Sequence, residues 1–62
     1  MKKYEYMVIY SFGQGIGRIQ ITTLKLIENY DDVETLDKII REHNGIDNAF
    51  AIDFKLLREY TE

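Results

Sequence analysis

Tyr4-Glu-Tyr-Met-Val-Ile-Tyr-Ser-Phe12 is apolar at nearly every position and holds three of the chain's five tyrosines and one of its three phenylalanines. A strand that buries one side alternates apolar with polar residues. This one offers Tyr4, Tyr6, Val8, Tyr10 and Phe12 in one direction and Met7 and Ile9 in the other. Both sides call for cover, which places the segment in the middle of a sheet.

Gly13-Gln14-Gly15-Ile16-Gly17 follows, with three of the four glycines in five residues. Between two strand-like runs it reads as a hairpin loop whose glycines supply positive φ. A phosphate-cradling loop would lead into a helix and carry Gly-x-Gly-x-x-Gly spacing, and here strand-type residues follow glycines spaced two apart. Residues 18 to 27 begin by alternating, with Ile19, Ile21 and Thr23 on one side and Arg18, Gln20 and Thr22 on the other. Asp31, three before Glu34, predicts an N-cap and a helix over about residues 32 to 43. Val33, Leu36, Ile39, Ile40 and His43 fall within an arc of about 120° on it. Glu34 with Lys38 and Asp37 with Arg41 form i,i+4 pairs on the face expected to be solvated. Asn44-Gly45 predicts a left-handed C-terminal cap. The last strand, Ala49 to Leu56, sets Phe50, Ile52, Phe54 and Leu56 on one face, and Leu57 to Glu62 reads as a charged tail.

Strand, strand, helix, strand with a right-handed crossover gives the order 2-1-3. The expected fold is α+β, one domain of residues 1–62: a three-stranded antiparallel or mixed sheet in β-β-α-β order with one helix packed on one face. Hairpin register decides which side of strand one meets the helix, because a slip by one residue exchanges the faces. A tight turn centred on Gln14-Gly15 pairs Tyr10 with Ile19 and Val8 with Ile21, burying Tyr6, Val8, Tyr10 and Phe12 with Phe50, Ile52 and Phe54. A five-residue loop pairs Ile9 with Ile21 and exposes the aromatics. The first buries the larger apolar area, at roughly 25 cal/mol per Å², and is preferred.

A chain of 62 residues buries only about 60% of its unfolded surface, so its stability is marginal without help. There is no cysteine, hence no disulfide or thiolate site, which fits a reducing cytoplasm, and oligomerisation remains as a source of stability. Met-Lys-Lys leads into an apolar run too short to span a membrane and without a cleavage signature, so neither a signal peptide nor a membrane association is expected. Eight basic against eleven acidic residues give a formal charge of −3, which argues against affinity for phosphate backbones or acidic lipids.

The chain offers little for catalysis. His43 is the single histidine, placed where a helix C-terminus favours it, and Ser11 the single serine, within a strand. Asp31, Asp32, Glu34 and Asp37 sit where a helix N-terminus attracts negative charge, outside any calcium-loop spacing. The expectation is a non-enzyme with no catalytic residues, metal or cofactor. Two contact surfaces compete. The open sheet face, with Met7, Ile9, Gln20, Thr22, Leu24 and Ala51, would serve self-association as a dimer or higher oligomer. The alternative, Tyr6, Tyr10, Phe12 and Arg18, would stack single-stranded nucleic acid or hold a small nucleotide ligand.

The aromatic first strand, the glycine hairpin running into Arg18-Ile-Gln-Ile-Thr22, the acidic-capped helix ending near Asn-Gly, and Phe50-Ala-Ile-Asp-Phe-Lys-Leu-Leu57 together resemble the small proteins encoded by phages and mobile elements of Gram-positive bacteria. The resemblance covers about 55 residues, and its motifs are structural. It implies an accessory protein in the host cytoplasm that binds and inhibits a host enzyme or defence component, or regulates the element itself. It carries over no catalytic residue.

Overall fold

The computed structural model describes residues 1–62. Strand β1 (Lys2–Phe12) and strand β2 (Gly15–Thr23) form a hairpin, helix α1 (Tyr30–Asn44) follows, and strand β3 (Phe50–Thr61) closes the sheet in the order β2-β1-β3. Both neighbours run antiparallel to β1. The α+β architecture in β-β-α-β order is the one the sequence predicts.

The hairpin turn lies one residue earlier than expected, which shifts the pairing register by two. Phe12 pairs with Gly15 across a two-residue turn, Gly13-Gln14, so that Tyr6 faces Ile21 and Val8 faces Ile19. A slip by two residues preserves the faces, and the aromatic side lies under the helix. Tyr6, Val8 and Ile21 form the core with Leu36, Ile40 and Ala49, while Tyr4, Tyr10 and Phe12 pack against it. Tyr6 also satisfies its polar end, its hydroxyl accepting the Ile27 N–H at 2.8 Å. This fixes the β2–α1 connection to the central strand.

The hairpin glycines do not serve the purpose expected of them. Only Gly45, at the helix C-cap, has a positive φ, of 66°. Gly17 is required for space instead: a Cβ there would lie 2.6 Å from the Tyr10 ring and hydroxyl. Tyr10 lies over its cross-strand partner and reaches Asn44 on the helix.

The helix begins two residues earlier than expected. Asn29, rather than Asp31, is the N-cap, accepting the Asp32 N–H at 3.1 Å, and Asp32 accepts the Glu28 N–H at 3.0 Å. This varies the capping box, with the carboxylate reaching back to the N–H one residue before the cap, and it uses a pair that the sequence presents equally well. Lys25 lies 3.0 Å from the nearly buried Asp32. The Glu28 N–H first, and Lys25 second, hold the Asp32 carboxyl below the ordinary carboxylate range.

The residues read as a charged tail belong to β3. Glu5 takes Arg58 in a two-pronged pair with both contacts at 3.2 Å, Lys2 meets Glu59 at 3.0 Å, and Lys3 pairs with Glu62. Exposed pairs of this kind contribute little individually, and they line the stretch of β3 that runs to Thr61.

The surroundings of Gly17 and Gly15 predict a contrast between them. Gly17→Ala should destabilise by about 1–3 kcal/mol, the usual cost of forcing extra volume into a packed site. Gly15→Ala, whose Cβ meets Phe12 at an ordinary 3.7 Å, should stay within about 0.5 kcal/mol of the parent or stabilise it. Urea unfolding of the two variants decides this, and equal losses would overturn it.

Candidate functional site

Register places the expected interface residues. On the open face Met7 lies between Gln20 and Lys55, Ile9 between Arg18 and Asp53, and Glu5 between Thr22 and Arg58. Met7 and Ile9 are half-buried in this frame of long polar side chains, whose stems shield apolar neighbours. Four of the six expected residues, Met7, Ile9, Gln20 and Thr22, therefore share the open face. Leu24 lies past the end of β2 and is exposed. Ala51 is on the other side: it pairs with Tyr10 and packs against the core.

The cause is a pair of β-bulges. Register shifts between Ile9 and Tyr10 and between Glu5 and Tyr6 leave Ile52 and Leu57 as extra residues on β3. The first reverses the face of everything N-terminal to it, so Phe50, expected in the core, faces Ser11 on the open side. The alternative surface is not assembled. Tyr6 is 2% exposed, Tyr10 and Phe12 pack on the core beneath the helix, and Arg18 pairs with Ile9 on the opposite face.

The exposed apolar side chains concentrate on β3. Ile52 is 48%, Phe54 37%, Leu56 38% and Leu57 50% exposed. Phe54 touches Tyr6 edge-on, at 5.8 Å between ring centres, so this row borders the core without being enclosed by it. β3 is also an edge strand, and its outer edge is covered over one stretch only. Asp37 accepts the Ala51 N–H at 2.6 Å, and Arg41 donates through Nε to the Ala49 carbonyl at 2.8 Å. These are the helix residues expected to pair with each other in solvent. They clamp the N-terminal end of β3 instead. Past the clamp the Phe54 N–H is taken by the carboxylate of its own neighbour Asp53, at 2.8 Å.

A hollow of about 370 Å³ lies beside the hairpin turn, lined by Phe12, Gly13, Gln14, Ile46 and Asn48. Its side chains include no charged group to set against a phosphate. No three His, Asp or Glu residues are grouped so as to hold a metal ion, and no helix is long and apolar enough to cross a membrane. His43 is exposed in the last helical turn.

Comparison with protein-family models, curated proteins and solved structures finds no match.

The β3 row escapes a reading by alternation alone because Ile52 is itself apolar and makes the first bulge look like regular strand. The adjacent pair Leu56-Leu57 is the one signal of the second bulge. If the clamp holds the strand end, Asp37→Ala should cost about 1–2 kcal/mol, the penalty of leaving a partly buried N–H unsatisfied. It should also speed amide exchange at Ala51. Glu34→Ala, on the exposed side of the same helix, should change neither, and an Ala51 amide indifferent to Asp37 would contradict the clamp.

Proposed function

We propose that this chain is a non-enzymatic protein-binding module whose contact element is β3. One observation carries the reading: from Ile52 onward an edge strand combines a row of half-exposed apolar side chains with an outer edge that no other element covers. Proteins ordinarily blunt such edges, because the free N–H and C=O groups are ready to pair with a second chain. A partner strand laid along β3 would gain main-chain hydrogen bonds there, and the apolar row would supply the contacts that distinguish one partner from another. This moves the contact surface from the open face, where Met7 and Ile9 are framed by charge, to the edge of the sheet.

The resemblance to small phage and mobile-element proteins supplies the setting: a cytoplasmic accessory protein that binds and inhibits a host enzyme or defence component. The nucleic-acid reading has less support, because the aromatic rings it needs are packed under the helix while Arg18 lies on the other face.

The immobilised protein, exposed to nuclease-treated Gram-positive lysate, should retain a defined protein that the Ile52→Lys and Leu57→Lys variants do not. That protein, once purified, should bind the variants at least about tenfold more weakly, the effect of losing a well-packed anchor. Identical retention by parent and variants would refute β3 as the contact element. Salt-sensitive binding of single-stranded oligonucleotides weakened by Arg18→Glu would favour the nucleic-acid reading instead.

A further inference from the structure

The free stretch of β3 is Ile52-Asp53-Phe54-Lys55-Leu56, and it is self-complementary about Phe54. Reversed and laid beside itself, it sets Ile52 against Leu56, Phe54 against Phe54 and Asp53 against Lys55. We propose that the edge of β3 binds a second copy of this chain in that register, forming a continuous six-stranded sheet across a two-fold axis at Phe54. The inference rests on the reading of β3 as the contact element and adds a second copy of the chain as an occupant of the same edge.

Three observations converge on this arrangement. Phe54 and Leu56 lie on the helix side and the charges on the open side, since Phe54 and Leu56 pair with Val8 and Tyr6, and Asp53 and Lys55 with Ile9 and Met7, while Ile52 is the unpaired residue of the first bulge. In the double sheet, Phe54 and Leu56 of the two copies would cover one another, with Ile52 at the margin of the contact. Asp53 and Lys55 are both exposed, and neither has an ion-pair partner within its own chain. An antiparallel two-fold contact would give each an opposite charge directly across, the arrangement that stabilises cross-strand pairs.

The hydrogen-bonding phase also agrees. The Phe54 N–H is met by the Asp53 carboxylate, which places it on the outer side, away from β1. Leu56, two residues on, presents its N–H in the same direction. Phe54 of each copy would then exchange main-chain hydrogen bonds with its counterpart while Asp53 turns to Lys55 of the second copy. The other registers are poorer. Sliding by two residues in either direction sets Asp53 against Asp53 or Lys55 against Lys55, and sliding by one sets apolar against charged residues. The Asp37 and Arg41 clamp closes the edge at Ala51 and Ala49, which confines the pairing to this short stretch. A contact so small belongs to the weak class of interfaces, below about 1,200 Å².

Sedimentation equilibrium across the micromolar range tests the proposal. The parent should show a reversible monomer–dimer equilibrium. Asp53→Lys and Lys55→Asp, each creating two like-charge contacts, should each weaken it by at least about tenfold. An equimolar mixture of the two variants should associate again as a heterodimer, and so should the double variant carrying both changes. Both sites are exposed, and circular dichroism verifies that each variant folds. A parent monomeric throughout the range would overturn self-association, and a dimer indifferent to the charge reversals would overturn the register. Either failure is separable from failure of the broader reading, which is judged by whether the Ile52 and Leu57 substitutions abolish capture of a different protein.

Discussion

One helix has to cover one face of a three-stranded sheet, and it is too short to do so. Its 15 residues extend about 22 Å at 1.5 Å each. The 12 residues of β3, at about 3.3 Å per step, run nearly the full 36 Å length of the molecule. Leu36 and Ile40 therefore go where burial stabilises most, over Tyr6, Val8 and Ile21. The helix is then tied to the near end of β3 through Asp37 and Arg41. On the β1–β2 side the remaining length is closed by the connection that Tyr6 holds through the Ile27 N–H. On the β3 side nothing closes it.

The exposed row on β3 follows from that shortfall. Phe54 and Leu56 face the helix side but lie beyond its reach, so they remain half exposed beside a complete core. The two bulges accommodate the consequences. The first lets Ala51 present its N–H to Asp37 and turns Phe50 away, and the second turns Arg58 toward Glu5. Between the bulges the strand is regular, with apolar residues on one side and one charge of each sign on the other. A chain of this size has little stability to spare, and a partner along that edge would add burial where its own helix does not reach.

Much of this architecture was legible in the residues. The two-sided apolarity of Tyr4–Phe12 fixes β1 as the central strand, and apolar area decides which side meets the helix, even though the turn sits on Gly13-Gln14 rather than Gln14-Gly15. The remainder was hidden for particular reasons. Asn29 and Asp31 are both competent caps, and local sequence does not rank them. Asp37 and Arg41 are spaced equally well for pairing along a helix or for reaching an adjacent strand. Ile52, being apolar and in step with Phe50 and Phe54, conceals the bulge that displaces Phe50 and Ala51 from their expected faces. The candidate site was the least legible part, because it depends on where the helix ends relative to the sheet, a length relation rather than a motif.

The central claim is that the edge of β3 is free in the single chain from Ile52 onward and is covered by pairing. Amide hydrogen exchange, followed residue by residue in dilute and in concentrated solution, measures this directly. Asp53 and Lys55, whose N–H groups face β1, should be protected equally in both samples. Phe54 and Leu56 should exchange rapidly in the dilute sample and be protected in the concentrated one. Protection of Phe54 and Leu56 that is strong and independent of concentration, or absent in both samples, would contradict the account.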